Sequence, residues 1–425
     1  MKCFQVGGCI RDELLGLPAG DRDWVVVGAR PSDLLDRGYR AVGRDFPVFL
    51  HPTTHEEYAL ARTERKTAPG YRGFEVLSTP DVTLEDDLLR RDLTINAIAR
   101  DPTGRLIDPF GGRQDLEQRV LRHVSPAFAE DPVRILRIAR FAARFESLGF
   151  RVHEDTMQLM REMVAAGEAQ ALVPERVWTE TAKAFAAERP DAFVRVLRAC
   201  GALAQVFPAF DALFGVPQPA RWHPEIDTGV HMLLVLRMAA HLSNGDPRIV
   251  FAAFTHDLGK GTTPADRLPS HPGHEERSAE LAIAMAKRLR IPAEYRDLAV
   301  LVARHHGQLH RVFDMRPATV LRMLEQMDAF RRPERLPLVL TACEADYRGR
   351  KDFADRDYPQ ARFVSAAHTA AAQVRLPPQR LATLQGPAIG KALHEARVIV
   401  VRDIRNQFTP VEDTPPARSG GVAGA

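Results

Sequence analysis

The first 122 residues mix two hydrophobic periods. A short apolar run from Cys3 to Val6 stops at the adjacent glycines Gly7 and Gly8, where a helical pattern begins. Gly16 to Gly20 break that helix, and Asp21-Arg22-Asp23 leads into Trp24-Val25-Val26-Val27, a strand by its β-branched run. Further strands are expected at Val48–Leu50, Tyr58–Arg62 and Phe74–Leu77, and Thr67–Val82, rich in Gly, Pro and Thr, is expected as a mobile loop. Leu88–Ala99 reads as a short amphipathic helix and Asp108–Gly112 as a turn. From Ser125 the period is helical. Asp131 reads as an N-cap with Pro132 at the first helical position. In the helix that follows, Arg134, Arg137, Arg140 and Arg144 form a basic stripe beside Ile135, Leu136, Ile138, Ala139, Phe141 and Phe145. Helices continue to Pro224, with boundary signals at Gly215–Pro219 and His223–Pro224. One apolar helix then carries His231, and another, Ile249–Thr255, runs into His256-Asp257.

This pattern predicts an α+β chain: a small α/β head over 1–122, an all-α neck and body over 123–224, an all-α domain over 226–350 and C-terminal helices over 351–408. The tail 409–425 has too few apolar residues to pack and is expected to be disordered.

Composition changes this picture little. A chain of 425 residues has room for about two to four domains. Its formal charge is +3, so a polyanion would have to meet local basic patches rather than a general positive field. Cys3, Cys9, Cys200 and Cys343 show no metal or disulfide spacing, and no apolar run is long enough to span a bilayer. No signal-peptide core follows Met1, and the expected compartment is the cytosol.

Candidate chemistry gathers at three places. Gly7 and Gly8 let a phosphate approach the backbone, the new helix offers its N–H groups to the anion, and Arg11 could reach it with a planar fork. Asp21 and Asp23, two apart at a strand start, share a face and could hold Mg²⁺ beside a triphosphate. His231, the His256-Asp257 pair and the distant Asp346, gathered in a helical bundle, would bind a divalent transition metal. Taken singly, each has a plainer reading: a turn, a solvated strand edge, a structural histidine. The arginine stripe alone reads as a solvated face.

In combination, the stretch Gly7–Gly28 resembles the signature of the nucleotidyltransferase superfamily that includes DNA polymerase beta, in its class II tRNA nucleotidyltransferase and bacterial poly(A) polymerase branch. RRDLTINAIA, ending at Ala99, is similar to that family's second motif. The resemblance implies a triphosphate contact for Arg91 and a ribose contact for the Asp92–Asn96 region. Asp108–Gly112 falls where the family has a hinge between head and neck. EDPVRILRIARFAARF resembles the motif in which protein side chains replace a nucleic-acid template. There an Asp131 carboxylate would accept from the exocyclic amine of cytosine or adenine while Arg134 donates to the ring. UTP and GTP would set an oxygen against that carboxylate, a buried mismatch costing about 1–3 kcal/mol. Arg137 and Arg140 would hold phosphates or the base.

THDLGKGTTP, with His271, His274, His305 and His306 beyond it, resembles the HD metal-dependent phosphohydrolase superfamily. Which of His274, His305 or His306 joins the metal site stays open at this level.

The order of motifs is that of bacterial CCA-adding tRNA nucleotidyltransferases with an HD domain. The resemblance implies addition of C, C and A to tRNA from CTP and ATP. Asp21 and Asp23 would be catalytic, binding Mg²⁺, and Gly8, Arg11 and Arg91 would grip the triphosphate. Glu64 is a weak candidate for a third carboxylate. The HD site would work with Ni²⁺ or another transition metal as a 2′,3′-cyclic phosphodiesterase, 2′-nucleotidase and phosphatase. The chain would be a monomer or homodimer. Two alternatives are a poly(A) polymerase and a non-catalytic tRNA-binding protein; intact Asp21, Asp23, His256 and Asp257 argue against the latter.

Overall fold

A computed structural model describes residues 1–18, 20–42, 48–66 and 74–408. By internal contacts the chain divides into Met1–Pro208 and Ala209–Ala425.

The first unit runs β1 (Lys2–Val6), α1 (Gly8–Leu14), β2 (Asp23–Val27), α2 (Pro31–Leu35), β3 (Arg40–Val42), β4 (Val48–Leu50), β5 (Glu57–Leu60), β6 (Thr63–Lys66) and β7 (Phe74–Leu77). It continues through α3 (Leu84–Leu89), β8 (Ala99–Arg100), β9 (Leu106–Ile107), α4 (Gly112–Glu117), β10 (Val120–Leu121), α5 (Val133–Phe145) and β11 (Arg151–Val152). The helices α6 (Glu154–Ala165), α7 (Pro174–Phe185), α8 (Pro190–Ala199) and α9 (Ala202–Val206) complete it.

The head is a seven-stranded mixed sheet in the order β3-β4-β5-β2-β1-β8-β9. β2 lies inside it because its run of valines is buried on both faces. Val25 packs with Val6 and Leu88 on one side, and Val26 with Phe49 and Leu60 on the other. Register places the candidate chemistry. β1 and β2 are antiparallel with Val6 opposite Asp23, so the glycines after Val6 come to rest beside that carboxylate. β5 runs parallel to β2 and sets Glu57 opposite Asp23. Gly7 has φ 79°, a region that favours glycine, and a Cβ there would stand 3.1 Å from the Arg91 guanidinium.

Three local expectations change. The strand expected over Tyr58–Arg62 spans Glu57–Leu60, and β6 pairs with β7 in a separate two-stranded sheet. Glu64 therefore lies on a strand outside the main sheet. Of the expected loop Thr67–Val82, residues 67–73 lie outside those described, and Phe74–Leu77 is strand. The helix expected over Leu88–Ala99 ends at Leu89, leaving one 3-10 turn at Thr94–Asn96 before Ala99 joins β1. The reason is local competition for hydrogen bonds. The Asp92 carboxylate accepts from the Leu93 N–H at 2.8 Å and the Asn96 amide at 2.9 Å, closing a turn where a helix would need continuous backbone bonding.

In α5 the helix opens at Val133, whose N–H donates to the Asp131 carboxylate at 3.1 Å. Its apolar side, Ile135, Leu136, Ile138 and Ala139, is fully buried, and α7 and α8 pack against it.

The chain enters the second unit at α10 (Pro208–Asp211). There follow α11 (Thr228–Ser243), α12 (Pro247–Thr255), α13 (His274–Arg288), α14 (Ala293–His310), α15 (Pro317–Gln326), α16 (Arg335–Arg348), α17 (Pro359–Gln373), α18 (Pro378–Leu381) and α19 (Pro387–Arg405). The apolar α12 is central, packed by α11, α14 and α16. Gly259 allows the turn after α12 to touch α13: a Cβ there would collide with the backbone of His274 and Ser278. That close approach brings His274 to Asp257. The expected disordered tail, 409–425, lies outside the described residues.

Candidate active sites

The head contains a polar cavity of about 500 Å³. Gly7, Gly8, Asp23, Arg91, Asp131 and Arg134 line it, together with Arg11, Arg137 and Arg140. Asp21 does not; it sits exposed, two residues before β2. Asp23 too is exposed at its surface, and partial desolvation of its carboxyl, then the Glu57 and Asp21 carboxylates, push that carboxyl above the usual carboxylate range, with Arg91 opposing. Carboxylates crowded in this way are relieved by a cation, so the residues present suit a divalent ion.

Arg11 is almost fully buried. Its fork donates to Asp12 at 2.9 Å and to Asn96 Oδ1 at 2.5 Å, and its guanidinium lies 5.2 and 5.1 Å from the Phe141 and Phe145 rings. Its side chain is thus fixed before any phosphate arrives. Arg91 is held by Asp87 at 3.2 Å.

The arginine stripe is solvated only at one end: Arg134 is buried, Arg137 and Arg140 are half-buried and Arg144 is exposed. Arg137 pairs with Asp92 at 2.6 Å, Arg140 with Glu180 at 2.5 Å and Arg144 with Asp12 at 2.9 Å. Burial opposes ionisation of Asp92, yet Arg137 and the Asn96 amide hold its carboxyl well below the usual range. Arg134 donates to two backbone carbonyls, Ala127 at 2.8 Å and Arg90 at 2.6 Å. Asp131 accepts a two-pronged bond from Arg176 at 3.0 and 2.7 Å.

The second unit gathers His231, His256, Asp257 and Asp346, all essentially buried. His231 Nε2 stands 3.0 Å from Asp346 Oδ1, and His256 Nε2 3.2 Å from Asp257 Oδ2. His256 Nδ1 donates to the Ala253 carbonyl at 2.8 Å, which turns Nε2 towards the carboxylates. His256 Nε2 and Asp257 Oδ1 are buried without a hydrogen-bond partner. Burial disfavours a charged His256, but Asp257 and Asp346 outweigh it and push its pKa up to about 10. A positive charge is therefore favoured at this point, and the donor set of imidazoles and carboxylates fits a divalent transition metal.

Of the histidines left open by sequence, His274 and His306 approach Asp257 Oδ1 at 3.2 and 3.5 Å. His305 instead meets Gln308, and His271 bonds Thr263 and the Pro217 carbonyl. A cavity of about 570 Å³ opens beside the cluster, lined by Gln218, Trp222, Lys260, His274, Arg311 and Arg350 among others.

Three family models match the chain. The Poly A polymerase head domain family matches residues 3–122, the probable RNA and SrmB-binding site of polymerase A matches 149–214, and the HD domain family matches 228–348. A multifunctional CCA protein of Thioalkalivibrio sulfidiphilus is 65% identical over 96% of this chain and 100% of its own. The chain belongs to the multifunctional CCA protein family. Another member, from Methylococcus capsulatus, is 58% identical over 98% of both chains. Among solved structures, a CCA-adding enzyme with ATP aligns with TM-score 0.62 at 20% identity, over 95% of this chain and 86% of that one. The Thermotoga maritima CCA-adding enzyme complexed with tRNA aligns at 0.59 and 19%, over 97% and 89%. At such identities these two speak for the fold alone. As a family member, the chain is a nucleotidyltransferase with an HD phosphohydrolase domain, and both domains imply dependence on divalent metal.

Several side chains of this family member escaped sequence reading. Glu180 and Asp12 reach Arg140 and Arg144 from distant elements, and Arg176 reaches Asp131 likewise, with no local spacing to mark them, whereas Asp87, four residues before Arg91, was accessible from that spacing. Lys260, three residues after Asp257 and 2.6 Å from it, was accessible from the string HDLGK. Glu225, 2.8 Å from His231 Nδ1, sits in a segment read only as a boundary.

Proposed function

We propose that the chain adds C, C and A to the 3′ end of tRNA from CTP and ATP, in the cytosol, and that its HD domain hydrolyses phosphate esters. The observation that carries the first activity is one cavity in which the Gly7–Gly8 turn, Asp23 and the Asp131–Arg134 pair face a common space. A triphosphate would lie over the glycines against Arg11 and Arg91, with its base towards Asp131 and Arg134. Arg134, pinned by two carbonyls, is already aimed and loses little freedom on binding. Arg176 fixes the plane of the Asp131 carboxylate, whose remaining lone pairs accept from the exocyclic amine of C or A. Uracil and guanine present a carbonyl there and are refused. The terminal ribose hydroxyl attacks the α-phosphorus in line, and pyrophosphate leaves. Mg²⁺, when bound by Asp21 and Asp23, supplies activation of that hydroxyl and charge neutralisation of the leaving group.

In the second unit a phosphate ester would enter the cavity beside Lys260, Arg311 and Arg350, whose positive charge suits it. Ni²⁺ or a similar ion, when bound by His231, His256, Asp257 and Asp346, supplies an activated water. The activities expected are 2′,3′-cyclic phosphodiesterase, 2′-nucleotidase and phosphatase.

The test is incubation of end-trimmed tRNA with labelled CTP and ATP, followed by sequencing of the products. C-C-A is expected, and Asp23→Ala should abolish it while tRNA still binds. A run of A would instead identify a poly(A) polymerase.

A further inference from the structure

The cavity of the second unit is lined by polar groups that the chain itself leaves unsatisfied. Arg348 binds Glu344 at 2.8 Å and the Ala354 carbonyl at 2.8 Å. Arg350, two positions on, forms no ion pair among the described residues, and its Nε is buried without a hydrogen-bond partner. Its guanidinium lies 5.1 Å from the Tyr347 ring and 5.8 Å from the Phe353 ring. Gly349 fixes where it stands. A Cβ there would come within 2.7 Å of the Val235 backbone, so a residue without one lets the end of α16 seat against α11.

Gln218 lines the same cavity. Its Oε1 accepts from Lys260 Nζ at 2.5 Å, and because an ammonium only donates, that bond sets which end of the amide is which. The Gln218 Nε2 is then a second buried donor without a partner. Unpaired buried donors are rare, and two of them lining one cavity with an ammonium call for an anionic acceptor.

The rest of the lining limits that anion. Glu275 and Asp314 offset part of the charge of Lys260, Arg311 and Arg350, and the small positive excess suits one phosphate group rather than a polyphosphate. Trp222, 44% exposed, lines the cavity as well. Its ring offers a broad rigid face on which any nucleobase can stack. A volume of about 570 Å³ has room for base, ribose and phosphate together.

We infer that this cavity is a nucleotide subsite, in which Arg350 and the Gln218 amide grip the phosphate group and Trp222 stacks on the base. The HD domain then takes a nucleoside carrying one phosphate or cyclic phosphate, and not phosphate esters at large. This rests on the reading of the second unit as a phosphohydrolase.

The experiment separates the two contacts. Full-length chain is assayed with adenosine 2′,3′-cyclic phosphate and with methyl riboside 2,3-cyclic phosphate, the same ester without a base. Trp222→Ala should raise the KM for the nucleotide roughly 10-fold and that for the base-less ester far less, and Trp222→Phe should keep most of the preference. Arg350→Ala should raise both KM values roughly 10-fold and weaken inhibition by inorganic phosphate in parallel. Arg350→Lys, which keeps the charge but not the planar fork, should recover only part. Thermal unfolding and nickel content by mass spectrometry accompany each variant. An RNA ending in the same cyclic phosphate distinguishes a chain end from a free nucleotide as the source of the unit, and a Trp222 effect on either supports the base platform. An equal rise for both esters in Trp222→Ala overturns it. Unchanged KM and phosphate inhibition in Arg350→Ala overturn the phosphate grip, and loss of nickel from a folded Arg350 variant would make that residue a support of the histidine cluster instead. Wild-type chain that hydrolyses none of these esters overturns the phosphohydrolase reading, and the subsite with it.

Discussion

At the scale of single residues, the head depends on charges fixed in place before substrate arrives. Asp131 is gripped by Arg176, and Arg134 by two carbonyl oxygens. A base edge read by such groups costs little reorganisation, and a wrong edge leaves a buried acceptor facing an acceptor. Asp131→Ala and Arg134→Ala should therefore lower use of CTP and ATP together and relax discrimination against UTP or GTP. An unmatched pair of about 1–3 kcal/mol corresponds to roughly 5- to 150-fold in that ratio. Arg176→Ala, which frees the carboxylate without removing it, should relax selectivity in the same direction but less. Single-nucleotide incorporation with each of the four triphosphates gives the answer. Unchanged selectivity with weaker tRNA binding would make the stripe a backbone-binding face.

At the scale of elements, the helices behind the cavity are held by ion pairs as well as by apolar packing. Asp191, in the first turn of α8, binds Arg189 at 2.8 Å and Arg195 at 3.1 Å, and both arginines also meet Glu146. Burial opposes ionisation of Asp191, but the hydrogen bonds and charge of Arg189, then of Arg195, hold its carboxyl below the usual range. A carboxyl with a lowered folded-state pKa adds stability above its unfolded value near 4. That stability is lost as pH falls through the lower folded value. Arg195 is 42% exposed and screened, so the loss in Asp191→Asn should be modest, about 1–2 kcal/mol at pH 7. It should shrink towards zero well below pH 4. Hydrogen exchange of α5 and α8 amides in the full chain, compared between the two proteins at both pH values, measures this. A difference independent of pH would remove the ion pair from the explanation.

At the scale of the whole molecule, each candidate site is built within one of the two compact units. Among the described residues, the cavity carrying Asp23 and Asp131 draws on 1–208 and the histidine cluster on 209–425. No described residue lines both cavities. His256→Ala or Asp257→Ala should abolish hydrolysis of a 2′,3′-cyclic phosphate and leave CCA addition near its normal rate. Parallel assays with Mg²⁺ and Ni²⁺ supplied separately test this. Loss of CCA addition in a folded variant would mean that the units are coupled.

What the amino-acid sequence determined by itself is whatever rests on neighbours in the chain. The glycine turn before α1, the run of valines in β2, the Asp131 cap and the HDLGK string are contiguous, and spacing alone gives them meaning. Their pattern carried the α+β architecture, and their resemblance to known motifs implied the family and its two chemistries. Where contiguous spacing misled, at Leu88–Ala99, side-chain hydrogen bonds from Asp92 outcompeted the helical pattern. Only the tertiary structure decided which distant partner answers each charge. Arg11 and Asn96 are 85 positions apart, Asp131 and Arg176 are 45, and His274 and His306 are 32. Such pairs leave no periodic trace because they depend on strand register and helix packing, which are settled by burial of the whole core rather than by any one segment. The choice among His274, His305 and His306 was of this kind: consecutive positions on a helix face different directions, and only the packing of α13 and α14 beside Asp257 selects which imidazoles meet there.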